Sequence, residues 1–480
     1  MAEAQQAVAP VRVQRTAAPG RAGTGPVRTR PRPGRTWLLI AGTVVFSGVL
    51  AAYITDLSEH IAVMAQMRDL IVYRAGGLIA QHVSPPGNSV YPVSLYSWHG
   101  KHHVSFTYAP AAAIIFAAGS LLSWLALRWV MTIISLAGLL LSVWLTFGAL
   151  GYPSHRVRAG ATLLVSAAAL ATEPVQQNLA LGQINLLLML LVVADLTRPG
   201  PRWWSGAGIG LAAGIKLVPL IFIPYLVLTG RFRQAAVAGG TFAATVGIGY
   251  AVLPGASARY WWDGLFLNAN RITFLGTRGN QSLRGMVARF IGSVNGSGGA
   301  WLAVAITVAI VGLVAAAALY RAGHPVPGML ACALTGLLVS PLSWDHHWVW
   351  VAPGLAYLGH RAARAGSQAR GRARGRARLA WWSATVALFA VFAAFPQFWS
   401  RTAALVPAGW VWYSPARYFA YGDNPAYREY HWNLVQTVAG DAFVFAGLLA
   451  LGALAVAAVR GRWPLRHSVT RALRKMPRLS

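Results

Sequence analysis

Residues 301–320 read WLAVAITVAIVGLVAAAALY, a run without one charged side chain. A helix rises about 1.5 Å per residue, so a run of this length can cross the roughly 30 Å hydrocarbon core of a bilayer. Similar runs recur at Trp37–Ile54, Ala235–Leu253 and Ala439–Val459. The sequence therefore predicts an all-α polytopic membrane protein with about 12 membrane-spanning or half-spanning helices.

The composition agrees with a membrane solvent. Hydrophobic residues make up 56% of the chain and charged residues 11%, against roughly 25% charged residues in soluble domains. The net charge of +30 would suggest a nucleic-acid ligand, but 21 of the 41 Lys and Arg lie in three short segments, 1–35, 360–378 and 460–480. Each segment adjoins an apolar run, as cytosolic flanks do under the positive-inside rule. We therefore expect contact with membrane lipids and no nucleic-acid partner.

These flanks define a predicted organisation. It comprises a disordered basic cytosolic tail over 1–35, a transmembrane catalytic domain over 36–460 with a basic cytosolic linker over 360–378, and a second basic cytosolic tail over 461–480. Threading the apolar runs between these anchors predicts exterior loops over 55–106, 254–299 and 398–437. Eight of the eleven carboxylates fall on the exterior side. Any chemistry is therefore expected there.

The middle of the chain breaks simple alternation, because arginines at 156, 198 and 231 all look cytosolic. Lys216 and Pro219 interrupt the apolar run 205–230, which we interpret as two half-helices buried in protein. We also expect residues 106–122 to lie on or dip into the outer face, so that only 126–149 crosses inward. Glu173 and Gln183 then fall on the same side as Asp69.

Three polar features stand out against the apolar background. Asp69 begins a short amphipathic segment, where it could act as a base or pair with Arg68 or Arg74 on a solvated face. Gln183 and Asn185 stand at a helix mouth, where amides bind hydroxyls or cap helices. Lys216 lies in an apolar run, where an ammonium is costly unless it meets an anion such as a lipid phosphate or reaches an interface.

The densest polar cluster is Ser340-Pro-Leu-Ser-Trp-Asp-His-His-Trp348. A zinc site is disfavoured, because His346 and His347 diverge by about 100° on a helix and no further ligand is spaced nearby. Histidines that bond a phosphate or sugar hydroxyls fit better. Structural capping is the remaining reading.

Six ordered motifs between about 40 and 435 resemble glycosyltransferase family 87, whose members have the GT-C membrane fold. The motifs are Asp69-Leu-Ile-Val-Tyr-Arg-Ala-Gly-Gly, Phe106-Thr-Tyr-Ala-Pro, Gly182-Gln-Ile-Asn-Leu-Leu-Leu, Ile215-Lys-Leu-Val-Pro, Asn280-Gln-Ser-Leu and the cluster from Ser340 to Trp348. Ala109 departs from the family pattern, which has a second proline there. The basic linker is also longer than is usual in the family.

The resemblance implies an inverting transfer of mannose from a polyprenyl-phosphate carrier to a hydroxyl of a lipid-linked glycan, such as a phosphatidylinositol mannoside, on the outer face of the plasma membrane. Neither a cofactor nor a metal is expected. The predicted catalytic residues are Asp69, as the base, with His346 and His347. The predicted substrate-binding residues are Tyr73, Arg74, Tyr108, Gln183, Asn185, Lys216, Asn280, Gln281, Trp344 and Asp345.

Two other functions fit the same features. An arabinofuranosyltransferase of the same family differs only in its donor. A transporter or flippase for a lipid-linked glycan also combines many helices with polar residues inside the membrane. Turnover of a polyprenyl-phosphate sugar in detergent distinguishes an enzyme from a transporter.

Overall fold

The computed structural model describes residues 36–59, 67–81, 90–91, 94–98, 102–152, 154–198, 200, 202–268, 275–368, 371–393 and 433–461. The predicted tail over 1–35, nearly all of the tail over 461–480 and most of the exterior loop over 398–437 lie outside these residues.

The described chain is predominantly helical. Its α-helices are α1 (Thr36–Glu59), α2 (Arg68–Gln81), α3 (Pro110–Ser120), α4 (Trp124–Ala149), α5 (His155–Leu170), α6 (Glu173–Leu181), α7 (Asn185–Thr197), α8 (Ala207–Ile215), α9 (Phe222–Leu228), α10 (Phe232–Val252), α11 (Pro254–Ser257), α12 (Leu283–Ile291), α13 (Gly298–Arg321), α14 (Pro325–Val339), α15 (Val351–Gln368), α16 (Gly371–Phe392), α17 (Leu434–Gly440) and α18 (Ala442–Arg460). Short 3-10 helices cover Val218–Ile221, Leu265–Leu267 and Asp345–Trp350, and a π-helical turn covers Ala258–Trp262.

One antiparallel strand pair departs from the all-α prediction. Strand β1 (Ser94–Trp98) pairs with β2 (His102–Ser105), with Trp98 opposite His102 and a register irregularity between Ser94 and Tyr96. Aromatic residues at alternate positions, Tyr96 and Trp98, favour a strand, but the run is too short for its period to stand out within a long loop.

Among the described residues, five helices are long and apolar enough to cross a membrane, namely α1, α4, α10, α13 and α18. The α6–α7 pair makes a sixth if the two helices, bent by 118°, count as one broken span. The predicted total of about 12 is not confirmed. Several apolar helices, such as α3 and α14, are shorter than a bilayer requires.

The exposed side chains of α13 indicate that lipid, and not water, surrounds these helices. Leu302, Ile306, Ile310 and Val314 recur at intervals of four residues and are each at least half exposed. Residues four apart lie on the same face of a helix, so they form one continuous apolar stripe. Water would penalise such a stripe, whereas lipid chains solvate it. The chain is accordingly a multi-pass membrane protein.

Small residues bring the buried helices close together. A Cβ added to Gly42 of α1 would lie 2.6 Å from the carbonyl oxygen of Gly160 in α5, and a Cβ on Gly160 would meet the Leu38 carbonyl at 2.6 Å. The α8–α10 contact has the same character, because Gly206, Gly210 and Gly214 all face α10. Such close backbone approach is typical of helices packed within membranes.

The predicted interruption at Lys216 is confirmed. Helix α8 ends at Ile215, and Lys216 has an extended backbone with φ −142° and ψ 129°. A 3-10 turn beginning at Val218 then leads into α9. Proline has no backbone N–H to donate to a helical hydrogen bond. Pro219 is therefore compatible with the change of chain direction between α8 and α9.

Candidate active site

Asp69 lies in the first turn of α2, at the positive end of the helix dipole. Its side chain is half-buried. Among the described residues, no ion pair joins Asp69 to Arg68 or Arg74. The structure therefore does not contain the alternative that the sequence left open, in which Asp69 pairs with a neighbouring arginine on a solvated face.

The double glycine of α2 explains how this helix reaches the centre of the protein. A Cβ on Gly76 would lie 2.6 Å from the Phe106 ring, and one on Gly77 would lie 2.6 Å from the backbone oxygen of Phe116 in α3. Without side chains at these two positions, α2 packs directly against α3. Tyr73 consequently stacks on Phe116 with ring centroids 4.2 Å apart.

Gln183 stands at the joint between α6 and α7. Gly182 ends α6 in the left-handed region with φ 68°, a conformation that glycine adopts without strain. The Asn178 amide donates to the Gln183 carbonyl at 2.9 Å and holds the joint. The sharp bend therefore directs the Gln183 side chain at α2.

One amide connects Asp69 to two tyrosines. Gln183 Nε2 donates to Asp69 Oδ2 at 2.5 Å. Gln183 Oε1 lies 2.8 Å from the Tyr73 hydroxyl and 3.1 Å from the Tyr108 hydroxyl, and the two hydroxyl oxygens are 2.6 Å apart. Burial raises the pKa of both phenols, so both are protonated donors. The amide oxygen must face them, which directs the amide nitrogen at the carboxylate.

Lys216 enters the same network from the break after α8. Its Nζ donates to Asn185 Oδ1 at 2.8 Å and lies 2.7 Å from His347 Nε2. The ammonium also lies 5.6 Å from the centre of the Tyr108 ring. Because an ammonium has three N–H donors, one remains for a ligand after these two bonds.

The ammonium assigns the tautomer of His347. In its charged form Lys216 has no acceptor atom, so the His347 Nε2 beside it carries the lone pair and the imidazole proton resides on Nδ1. A neutral His347 therefore accepts from Lys216 and adds no positive charge of its own.

His346 has a different partner. Its Nδ1 lies 3.0 Å from Asp345 Oδ1, and its backbone N–H donates to the same oxygen at 2.7 Å. His346 Nε2 is buried with no hydrogen-bond partner among the described residues. Asp345 thus contacts its neighbouring imidazole and fixes the direction in which that ring points.

Asn185 is the crossing point of the network. Its Nδ2 lies 3.1 Å from Asn178 Oδ1, 3.3 Å from Gln183 Oε1 and 3.1 Å from the His346 carbonyl. With Lys216 on its oxygen, this amide connects the α6–α7 joint to the histidines.

The structure thus brings seven of the predicted site residues into one hydrogen-bonded network, with Asp345 and His346 beside it. The seven are Asp69, Tyr73, Tyr108, Gln183, Asn185, Lys216 and His347. Arg74 and Trp344 are half-buried and stay outside it. Trp344 instead forms an isolated β-bridge with Asn280.

Asn280 and Gln281 are held by main-chain groups. Asn280 Nδ2 donates to the carbonyls of Leu275 and Pro341 at 2.9 and 3.1 Å, and its Oδ1 accepts from Ser343 N at 3.0 Å. Both side chains are fully buried. Gln281 bonds the Gly440 carbonyl at 2.6 Å and accepts from Phe443 N at 3.2 Å. All of these partners are main-chain groups, and a role of the two amides in binding substrate stays a prediction.

Sequence reasoning missed three polar residues that support the site. Asn178 holds the α6–α7 joint, and Arg289 forms a fully buried ion pair with Asp441. The sequence did offer a reason to single out Asp441. It is one of few carboxylates outside the predicted exterior loops, and it directly precedes the apolar residues that form α18.

A small apolar cavity lies beside Lys216, with a volume of about 50 Å³. Asn185, Lys216 and His347 form its polar end. The rest of the wall consists of apolar side chains from α7, the 218–228 segment, α14 and the end of the 3-10 helix at 345–350, including Leu188, Val192, Phe222, Leu337 and Trp350. A ligand with a charged head and a hydrocarbon tail matches this distribution.

Comparison with known proteins agrees with the motifs. The family model of glycosyltransferase family 87 matches residues 106–341. A polyprenol-phosphate-mannose-dependent α-(1-2)-phosphatidylinositol pentamannoside mannosyltransferase of Mycobacterium tuberculosis is 36% identical over 304 residues, which cover 62% of this chain and 68% of the relative. Its counterpart in Mycolicibacterium smegmatis is 35% identical over 297 residues, covering 62% and 70%.

A polyprenol-phosphate-mannose-dependent α-(1-2)-phosphatidylinositol mannoside mannosyltransferase of Mycobacterium tuberculosis is 31% identical over 267 residues, covering 54% of this chain and 62% of the relative. No solved structure matches the chain significantly. The family match includes Tyr108, the α6–α7 joint, Lys216 and Asn280. The chain therefore belongs to glycosyltransferase family 87.

Proposed function

We propose that this protein transfers mannose from a polyprenyl phosphate to a hydroxyl of a lipid-linked glycan of the phosphatidylinositol mannoside class. The proposal includes the GT-C fold, inversion at the anomeric carbon and an active site on the extracytoplasmic side of the plasma membrane. The names of the relatives and the resemblance of the motifs support it. The catalytic domain is assigned to residues 36–460, between the basic cytosolic tails.

The proposal rests on one hydrogen-bonded network. The Asp69 carboxylate lies at one end of it, and the Lys216 ammonium lies at the other end beside an apolar cavity. A glycosyl transfer from a lipid phosphate needs both ends. The acceptor hydroxyl needs a base, and the departing phosphate needs cationic or donor groups.

Asp69 is assigned as the base. Gln183 occupies its Oδ2, which leaves Oδ1 for the proton of the acceptor hydroxyl. The hydroxyl oxygen forms a bond to the anomeric carbon as the bond from that carbon to the phosphate oxygen breaks. The proton passes to Asp69, and both electrons of the broken bond leave with the polyprenyl phosphate.

Lys216 is assigned to the phosphate of the donor. Two of its N–H groups point to Asn185 and His347, and the third is directed to the phosphate oxygens. The isoprenoid unit nearest the phosphate would lie against the apolar wall of this cavity. A buried ammonium is costly without an anion, so the phosphate would also stabilise the charge of Lys216.

The test is transfer of labelled mannose by the purified protein in detergent, with phosphatidylinositol mannosides as acceptors. Asp69→Asn keeps the size of the side chain and removes the proton acceptor, so transfer should fall by about 10²-fold or more. Asp263→Asn is the matched control, since Asp263 is an exposed carboxylate outside the network, and it should retain activity. Normal transfer by Asp69→Asn would exclude Asp69 as the base. Activity with an arabinofuranosyl donor alone, or no product at all, would favour the other family activity or a transporter.

A further inference from the structure

The two histidines lie on an irregular segment that cannot hold its own shape. We call residues 340–350 the histidine segment. It begins as an open turn at Ser340, continues into the 3-10 helix at Asp345–Trp350 and has a kink at Trp348 with ψ 21°. A 3-10 helix has weaker hydrogen-bond geometry than an α-helix, so the positions of His346 and His347 depend on external contacts.

Asn185 and Lys216 supply two of those contacts. The main-chain bonds on either side of the histidines come from residues 275–282, which we call the support loop. Gln281 N donates to the Ser343 carbonyl at 2.8 Å, and Asp345 N donates to the Gly279 carbonyl at 3.0 Å. Trp348 Nε1 donates to the Gln281 carbonyl at 3.2 Å. These bonds bracket the two histidines on both sides, so the support loop sets where the imidazoles lie.

The support loop has no regular secondary structure between Leu275 and Ser282. Besides the amides of Asn280 and Gln281, one guanidinium holds it. Arg289 Nη1 donates to the carbonyls of Gly276 and Thr277 at 3.2 and 2.6 Å, and Nη2 donates to the Asn280 carbonyl at 3.0 Å. Arginine presents five donors in a rigid planar fork, which suits three carbonyls at once.

Asp441 completes this arrangement from the start of α18. It forms an ion pair with Arg289, and both side chains are fully buried. Removing two charges from water is costly, and a buried pair is often no more stabilising than apolar side chains of similar volume. Stability alone therefore does not explain a pair at this place, whereas control of the support loop does.

We infer that Arg289 and Asp441 are positioning residues for the proposed transfer, acting through the support loop on His346 and His347 without touching substrate. The inference rests on the proposed function for its consequence in catalysis. The chain of contacts itself is independent of any substrate.

The first experiment is a double-mutant cycle on affinity for polyprenyl phosphate, measured from ligand-dependent shifts of the melting temperature of the full-length protein. Arg289→Lys keeps the charge but has one nitrogen for four partners. It should weaken binding about 5- to 10-fold in the otherwise unchanged protein, and less than about twofold when His347→Ala is already present. Equal losses in both backgrounds would overturn the inference.

Arg284→Lys is the matched control. Arg284 lies on the same helix and is nearly buried, but it bonds the Val294 carbonyl and covers the Trp301 ring instead of the support loop. It should leave affinity unchanged in both backgrounds. A loss equal to that of Arg289→Lys would show a general effect of disturbing α12, against the inference. If Arg289→Lys does not fold, Trp348→Phe takes its place in the cycle. This change removes the bond to the Gln281 carbonyl together with part of a buried ring.

A second readout needs no ligand. His347 is only 8% exposed, so diethyl pyrocarbonate should modify it slowly, as followed by mass spectrometry of the peptide. Arg289→Lys and Trp348→Phe should accelerate modification several-fold, and Arg284→Lys should not. An unchanged modification rate in both Arg289→Lys and Trp348→Phe would overturn the inference. Failure of the unchanged protein to bind polyprenyl phosphate would instead count against the proposed function, while this rate would still decide the inference.

Discussion

A glutamine side chain can exchange the positions of its amide oxygen and nitrogen at little energetic cost unless its neighbours favour one orientation. Around Gln183 the preference is strong, because Tyr73, Tyr108 and Asn185 all present donors to its oxygen. The nitrogen then has to face Asp69. At the scale of single residues, the site is therefore an arrangement in which neutral donors fix one amide and that amide orients the base.

Gln183→Glu tests this arrangement through pH. A second carboxylate beside Asp69 repels its negative charge, so the proton is held more tightly by the pair and the apparent pKa of the base rises. The deprotonated base then appears only at higher pH. We expect kcat/KM near pH 7 to fall by about 10-fold or more and the acidic limb of the pH profile to move upward. Gln183→Met, which adds no charge, should lower activity without moving the limb. Identical profiles for the two variants would contradict the argument.

Lys216→Met tests the proposed phosphate site. Methionine fills similar volume and suits the apolar lining, so expression and melting temperature should be retained, whereas the donor loses its cationic partner. The apparent KM for the polyprenyl-phosphate sugar should rise, or kcat should fall with it, while the KM for the acceptor changes little. Steady-state kinetics with each substrate varied in turn provide the measurement. Unchanged donor kinetics would remove Lys216 from the site.

At the scale of elements, glycines determine how closely the helices that carry the site approach one another. The Gly206, Gly210 and Gly214 face of α8 packs against α10 so closely that a Cβ on Gly210 would overlap the Ala238 carbonyl oxygen. Helix α8 ends at Ile215, directly before Lys216. Any separation of α8 from α10 therefore also displaces the ammonium.

Gly210→Ala should destabilise the protein by about 1–3 kcal/mol, because the added methyl group forces two backbones apart. Gly239→Ala is the matched control on α10, where an added Cβ meets nothing within 4 Å. It should be neutral or stabilise by up to about 1 kcal/mol, since alanine is the better helix former. Melting temperatures in detergent compare the two. A Gly210→Ala protein as stable as Gly239→Ala would show that α8 and α10 are not in this close contact.

At the scale of the whole molecule, the site is proposed to open on the exterior side of the membrane, and labelling of single cysteines tests this. Cys332 is fully buried, and Cys332→Ser gives a background without thiols because it is the single cysteine. Asn295 and Arg372 are exposed, on segments predicted to be exterior and cytosolic respectively.

In that background, Asn295→Cys should react with a membrane-impermeant maleimide in intact cells and Arg372→Cys should not. Both should react after the membrane is permeabilised, which is the control for accessibility. The neighbouring Ser297 would be unsuitable, since it is fully buried. Reversed labelling would place the site on the cytosolic side.

Local chemistry let the sequence determine much of this protein. Apolar runs of bilayer length identify a membrane protein without any knowledge of packing, and a proline three residues after an isolated lysine predicts the break after α8. The ordered motifs also singled out the residues from Asp69 to His347 that meet in one network. Helix lengths were less predictable, because apolar composition does not separate a full span from a short helix such as α3 or α14 buried in protein.

Tertiary structure alone decided which polar side chains face the site and which hold the chain. Asn280 and Gln281 looked like ligand residues by type, but their partners are backbone groups of distant segments. Arg289 and Asp441 pair across 152 residues of sequence. Neither local propensity nor periodicity reports a contact of that separation, because it exists only once the intervening helices have packed. The same reason applies to the polar end of the cavity, where Asn185, Lys216 and His347 come from three different elements.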